Sequence, residues 1–397
     1  MINIAILGFG VVGGGVAELI TENQSQILTL AGDSVNIKYI LDLRDFPSSP
    51  FASRVIHDFN VILADPEVST VIEAMGGSHP AYEYTVAALS AGKNVITSNK
   101  EVVARFGDEF LKIARENGVC YRFEAAVGGG IPVLSPIISC IGQNKVTEVR
   151  GILNGTTNYI LTQMFTFGRS FEDALADAQA KGYAESNPDA DILGIDACRK
   201  IAILTALVTG KLISTDNIHT EGITAIRAED VVNAGKLGCT IKLVGRGLAA
   251  PTVPMALVAP FLVPTDMPLS SVTGVYNAVE VIAEPLGDVM FYGKGAGAGA
   301  TASAVVGDLM QVICSGTHCH APVFEKCDAV PDFEGYSSRH YLAFSAADSS
   351  KAAAAFPSAS VIESDEYVIT TEKMSEGELS SRLASAGILP VSHIRFI

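Results

Sequence analysis

Between Gly182 and Lys200 the chain reads GYAESNPDADILGIDACRK, in which four carboxylates, Glu185, Asp189, Asp191 and Asp196, precede Arg199 and Lys200. A mostly apolar run, 201–208, follows at once. Asn187-Pro188-Asp189 suits a helix start, because proline fits the first turn and an acid complements the helix dipole. Continued at about 3.6 residues per turn, the helix puts Asp196 and Lys200 on one face, one turn apart. Two readings fit that spacing. One is a plain ion pair, which contributes about 0.2–0.5 kcal/mol. The other is a lysine oriented by its partner so that its proton can pass to a substrate oxygen.

The elements that could present a second reactant lie at the N-terminus. INIAILGFGVVGGGVAELI is a short apolar strand, a turn with Gly8, Gly10 and Gly13, and an amphipathic helix. That spacing lets the backbone turn tightly and approach a pyrophosphate at a helix N-terminus, with Val11 and Val12 opening the helix. An ordinary βα turn is the alternative. Strands and helices then alternate: strands at VNIKYILDL, VSTVIEAMGG, NVITSNK and VCYRFEAAV, helices at AYEYTVAALSAG and DEFLKIARENG. Such alternation predicts an α/β fold with a parallel sheet covered by helices, a Rossmann domain over residues 1–130. Ligands of such sheets sit at the carboxyl ends of the strands, where Gly76, Gly77, Ser98, Asn99 and Lys100 fall. Strand two ends in LDLRD, whose acid could bind a ribose hydroxyl and whose Arg44 could accept a 2′-phosphate. Either NAD or NADP is therefore accommodated, with a lean to NADP.

The whole chain bounds the possibilities. At 397 residues with 48% hydrophobic residues it can build two or three domains. A net charge of −16 argues against nucleic acid as the partner. No stretch approaches the roughly 20 apolar residues of a membrane span, and the N-terminus lacks the basic flank of a signal peptide. Seven cysteines, odd in number and without paired spacing, suit a reducing cytoplasm. RGILNGTTNYILTQM predicts a strand and then a helix capped by Asn154 or Thr156, whose end could hold a carboxylate. The late CSGTHCH carries Cys314, His318, Cys319 and His320, but its spacing does not match zinc sites.

Ala178, Gly182, Asn187-Pro188, Asp191-Ile192, Gly194, Asp196 and Lys200 together resemble the signature of homoserine dehydrogenases. ILNGTTNYIL, TSNKE, EAAVGGGIP and GKGAGAGATASAVVGD are similar to further blocks of that family, in the same order across roughly residues 1–320. The resemblance implies reversible NAD(P)-dependent reduction of L-aspartate 4-semialdehyde to L-homoserine, in threonine, methionine and isoleucine biosynthesis. It makes Lys200 the residue that gives or takes the proton, Asp196 its partner at the reacting oxygen, and Lys100 a second lysine at the cofactor–substrate junction. Glu185 is implied to bind the substrate ammonium, with Asp191, Tyr183, Gly155 and Thr156 in the substrate pocket. Main-chain carbonyls of Glu124, Val127, Gly129 and Ile131 are implied to hold a monovalent cation such as sodium. Gly297 is implied to touch the cofactor.

On this reading residues 131–300 form an α+β catalytic and dimerisation domain, and a helix near 301–320 returns to the Rossmann domain. A homodimer or homotetramer is expected. Pro331 to Ser338 reads as a linker, and residues 338–397 as a βαββαβ module that resembles ACT regulatory domains. The usual Asp-x-Pro-Gly turn is replaced by DSSKA from Asp348, which puts effector binding in doubt. Every catalytic and cofactor block precedes Asp308, so removal of the module is expected to spare the chemistry. Two other functions compete. Aspartate-semialdehyde dehydrogenase would need a thiolate nucleophile, and Cys198 falls on a different helical face from Asp196 and Lys200. A nucleotide-sensing protein with a decayed site is opposed by the intact Glu185, Asp196 and Lys200.

Overall fold

The computed structural model describes residues 1–250, 252–315 and 321–397, so His318, Cys319 and His320 lie outside the described residues. The chain divides into two compact units. One comprises Met1–Thr147, Ala202–Thr215 and Val281–Asp328, the other Glu148–Ile201, Asp216–Glu280 and Ala329–Ile397. Among the described residues no helix is long and apolar enough to cross a membrane.

The first unit is built on strands β1 (Ile2–Leu7), β2 (Val35–Leu41), β3 (Val55–Ile56), β4 (Val68–Glu73), β5 (Asn94–Thr97) and β6 (Tyr121–Arg122). They form one parallel sheet in the order β3-β2-β1-β4-β5-β6. The order reverses at β1 and β4, the switch point where open α/β sheets bind ligands. Ile4 and Ile6 of β1 are fully buried, as a parallel strand covered on both faces requires. They share a core with Val16 and Ile20 of the helix Val11–Glu22 and with Ala302, Val305 and Leu309 of the helix Ala298–Ser315.

Two elements differ from the sequence expectation for local reasons. The helix expected from Asp108 begins at Lys100, because the Asn99 side chain caps it, accepting from Glu101 N (3.2 Å) and Val102 N (3.4 Å). The strand expected through VCYRFEAAV stops at Arg122. There Glu124 folds back, and its carboxylate accepts from the backbone N–H groups of Val133, Leu134 and Ser135. The cysteines are not uniform either: Cys140, Cys198, Cys239, Cys314 and Cys327 form no disulfide, whereas Cys120 is disulfide-bonded.

In the second unit the antiparallel strands Cys239–Leu248 and Met255–Pro264 pair along their full length. The tail runs strand His340–Phe344, helix Ser349–Ala355, strands Ser360–Ile362 and Tyr367–Thr370, helix Glu376–Ala386 and strand Ser392–Phe396. Its last strand adds in parallel to Met255–Pro264, with Phe261 opposite Arg395 and Leu262 opposite Phe396. The tail therefore extends the same sheet. Asp230, fully buried on the helix Ala228–Lys236, accepts from tail Tyr341 Oη (3.0 Å) and Ser392 Oγ (2.7 Å). Nor is the segment before the tail a loose tether: Tyr336 is buried in the core beside Ile152 and Leu257, and its hydroxyl accepts from Arg246 (2.7 Å).

A histidine pair at this junction makes stability depend on acid. His340 Nε2 lies 3.3 Å from the Met374 carbonyl, which can only accept, so His340 carries its proton there. Burial lowers both pKa values and so keeps both rings neutral near pH 7, which makes His340 Nδ1, 2.9 Å from His393 Nε2, the acceptor of the His393 proton. Burial, aided by the Arg395 charge, pushes His393 down to about 3. The unfolded chain binds that proton below a pKa of about 6.5, and the folded chain does not. The stabilisation is thus complete above about pH 6.5 and is lost as pH falls toward 3, by up to about 1.4 kcal/mol per pH unit. Melting temperatures from about pH 7.5 to about pH 4.5 should fall less steeply for His393→Gln than for the unaltered chain. Parallel curves would refute this account.

Candidate active site

The strand Lys145–Ile152 delivers Leu153 and Asn154 to the start of the helix Gly155–Phe167. Asn154 is the cap: its Oδ1 accepts from Thr157 N (2.9 Å). The cap leaves its amide nitrogen to point elsewhere, and Nδ2 donates to Asp191 Oδ1 (2.7 Å) and Asp196 Oδ2 (3.0 Å). The helix Ile195–Thr209 carries Asp196 in its first turn and Lys200 one turn later. Lys200 Nζ donates to Asp196 Oδ2 (2.8 Å) and to the Leu153 carbonyl (2.7 Å). With only 8% of Lys200 and 6% of Asp196 exposed, this is no solvated surface pair. An ammonium has three N–H groups, and the hydrogen bonds to Asp196 and Leu153 use two.

Asp191 is half-buried, and burial pushes its carboxyl up while the Asn154 amide pulls it down. Thr156 Oγ1 donates to the Tyr183 carbonyl (2.7 Å), and the Tyr183 ring meets Tyr159 edge-on with centroids 5.0 Å apart. Gly155 sits against the Val275 carbonyl. Asp191, Asp196 and Lys200 are thus gathered around Asn154, and Tyr183 is tied in through Thr156. Glu185 is exposed, linked through its main-chain oxygen, which accepts from Gln179 Nε2 (3.1 Å).

The glycine-rich turn lies in the first unit. A Cβ on Gly13 would stand 2.0 Å from the Gly8 carbonyl, so only glycine allows this close strand–helix packing. Gly10 caps the helix that opens with Val11 and Val12, and among the described residues no side chain closes its end. At the end of β2 the Arg44 guanidinium, 3.0–3.1 Å from Asp42, holds that carboxyl well below the usual range. Gly76 and Gly77 follow β4 on an exposed loop, where Asn99 Nδ2 donates to the Gly77 carbonyl (2.7 Å). Ser98 N donates to the Glu73 carbonyl (3.3 Å), Lys100 opens its helix, and Gly297 (φ 122°) precedes the helix Ala298–Ser315. Glu73 is fully buried and accepts from Met75 N (2.7 Å) and Thr97 Oγ1 (2.5 Å); burial pushes it up to about 7.

Val127, Gly129 and Ile131 are buried in the loop after Glu124. Among the described residues no hydrogen-bond donor reaches their carbonyls, while the Glu124 carbonyl accepts from Val127 N (3.3 Å). Buried carbonyls without donors are rare.

From the sequence Asn154 reads only as a cap, and Glu73 and the Leu153 carbonyl carry no signal at all. A cap's second role leaves no mark in spacing, and Glu73 reads simply as the end of a strand.

A parallel sheet with a glycine-rich turn and a buried lysine–carboxylate pair define an NAD(P)-dependent oxidoreductase. Residues 8–124 match the family model of the homoserine dehydrogenase NAD binding domain, and residues 132–310 that of homoserine dehydrogenase. Homoserine dehydrogenase of Synechocystis sp. is 41% identical over 317 residues, 79% of this chain and 73% of that one. The crystal structure of a homoserine dehydrogenase from Thiobacillus denitrificans superposes with a TM-score of 0.91 at 32% identity, covering 100% of this chain and 98% of that one. A hyperthermophilic archaeal homoserine dehydrogenase mutant in complex with NADPH gives a TM-score of 0.66 at 28% identity, covering 78% of this chain and 97% of that one. The chain belongs to the homoserine dehydrogenase family.

Proposed function

We propose that this homoserine dehydrogenase reduces L-aspartate 4-semialdehyde to L-homoserine with Lys200 as the proton donor. The buried Lys200, held by Asp196 and the Leu153 carbonyl with its third N–H not taken up among the described residues, is the observation that carries this reading. The nicotinamide, when bound, supplies the hydride. Lys200 gives its proton to the oxygen that becomes the hydroxyl, and takes it back in homoserine oxidation. Asp196 holds the ammonium in place, and Asn154 keeps both aspartates from swinging away. Glu185 binds the substrate ammonium, and Asp191, Tyr183, Gly155 and Thr156 shape the pocket.

Gly8, Gly10, Val11, Val12 and Gly13 take the pyrophosphate, with Gly76, Gly77, Ser98, Lys100 and Gly297 as further cofactor contacts. Lys100 doubles as a catalytic-site lysine. Arg44 favours NADP over NAD, in line with the archaeal relative's NADPH complex. The donor-free carbonyls of Val127, Gly129 and Ile131, with that of Glu124, suit a monovalent cation such as sodium, since only oxygen ligands are offered. The βαββαβ order of the tail supports an ACT-like module, and a cytoplasmic homodimer or homotetramer is the expected form. Residues 1–130 serve as the nucleotide-binding domain, 131–300 as the catalytic and dimerisation domain and 338–397 as the ACT-like module.

The test is NADPH oxidation with aspartate semialdehyde in the absence of phosphate. Turnover is expected, and its absence would return the sensor reading to favour. Replacing Glu185 by Gln should raise the KM for homoserine roughly 10–100-fold, the loss of one charge-assisted hydrogen bond, with cofactor affinity nearly unchanged. A fall in cofactor affinity instead would move Glu185 out of the substrate pocket.

A further inference from the structure

Arg395, on the last strand of the tail, is only 1% exposed and has no role in the proposed chemistry. Its guanidinium donates to two carboxylates. Nε and Nη2 grip Glu376 of the tail (2.6 and 3.0 Å), and Nη1 reaches Glu221 Oε2 (2.9 Å). The second contact leaves the tail, because Glu221 follows the short strand His219–Thr220, which pairs with Leu257 and Val258. His219 Nε2 completes the cluster at 2.6 Å from Glu221 Oε1. The carboxylate of Glu221 is held well down, to about 2, against its burial, by His219 and Arg395.

What lies behind Glu221 gives this cluster its meaning. Glu221 N is anchored to the Val258 carbonyl (2.8 Å), and Ile223 N donates to the Ile192 carbonyl (2.8 Å). Between them Gly222 presses on the other chain segment so closely that a Cβ would stand 2.0 Å from the Ile192 carbonyl and 2.6 Å from Leu193 Cα. Gly194, from the other side, lies where a Cβ would be 3.1 Å from the Glu221 carbonyl. Residues 192–194 are the turn from which the helix Ile195–Thr209 starts. Asp196 is two residues further on, and Lys200 one turn beyond it. The buried tail arginine, through its ion pair with the half-buried Glu221, thus holds a backbone segment that is in van der Waals contact with the start of the proton-transfer helix.

We propose that Arg395 and Glu221 are positioning residues for Asp196 and Lys200, acting through the Gly222–Ile192 contact. The inference rests on the reading of Lys200 as proton donor. Weakening the pair lets the helix start shift, and a displacement of about 1 Å at the reacting groups can cost on the order of 10²-fold in rate. The cofactor site should not feel the change, because none of its proposed residues lies in this path.

The experiment uses the full chain with Arg395→Lys and Glu221→Gln. Glu221 is partly exposed and glutamine is isosteric, so that variant provides a folded case if Arg395→Lys is unstable. Homoserine oxidation is measured as kcat, KM for each substrate and the pH profile, per folded molecule counted by NADPH binding. A positioning role predicts a kcat about tenfold lower, an unchanged KM for the cofactor and a displaced pH profile, with Arg395→Lys retaining more activity than Arg395→Met. An unchanged kcat and pH profile per folded molecule would overturn the proposal, even if the melting temperature falls. Failure of the underlying reading looks different, because Lys200→Met would then keep normal turnover.

Discussion

Lys200→Met is expected to lower kcat by about 10²–10⁴-fold, the usual contribution of a positioned proton donor, with NADPH affinity within roughly twofold of normal. The chain has no tryptophan, so the fluorescence of bound NADPH reads the affinity without intrinsic indole emission. The substitution also removes the cation beside Asp196, which is 6% exposed. Breaking a buried pair from one side commonly destabilises by about 3–5 kcal/mol, because a charge is left without its partner. Asn154 still donates to Asp196, which softens that loss. Comparison with Lys200→Met/Asp196→Asn separates the effects: the double variant should recover stability and stay inactive. If the single variant turns over normally while folded, Lys200 and Asp196 are a structural pair and the proton comes from elsewhere.

Deletion of residues 338–397 is the second large effect. The order of sequence blocks argues that the chemistry survives, but the sheet argues otherwise. The deletion removes the strand next to Met255–Pro264 and exposes Phe261 and Leu262, both fully buried in the intact chain. It also takes away Tyr341 and Ser392 from Asp230, and Arg395 from Glu221. Three hydrogen bonds to carboxylates, at about 1.5–3 kcal/mol each, correspond to a melting temperature lower by roughly 10 °C or more. The uncovered edge should promote association through strand pairing. The truncated chain is therefore expected to be less stable, prone to aggregate and at least several-fold slower. A monomeric or dimeric truncated protein with full kcat would show that the tail is dispensable in this chain.

The α/β alternation was legible because apolar strands and glycine turns are local signals, as in INIAILGFG. So was the spacing of Asp196 and Lys200, fixed by helical periodicity. Position along the chain says little, however, about which carboxylates converge. Asn154 reads as a helix cap, and its second role depends on where residues 191 and 196 return in space. The start of the helix at Lys100 is not legible, because Asn99 reads as part of a strand end. The union of the tail with the catalytic sheet was illegible for a different reason: an edge strand carries no mark of the partner it pairs with.

Asn154 also bears on the chemical ageing of the enzyme. It is followed by Gly155, and Asn-Gly is the dipeptide in which the next backbone nitrogen most readily attacks the side-chain amide, expelling ammonia. Here the amide is held at both ends, Oδ1 by Thr157 and Nδ2 by the two aspartates, and Gly155 N belongs to a helix start. The folded site therefore resists the reaction, while any molecule that opens locally is exposed to it. Once formed, the new carboxylate would face Asp191 and Asp196 with no proton to offer either, and like charges would push the pair apart. Loss of ammonia at this one position would inactivate stored enzyme while most of its secondary structure remained.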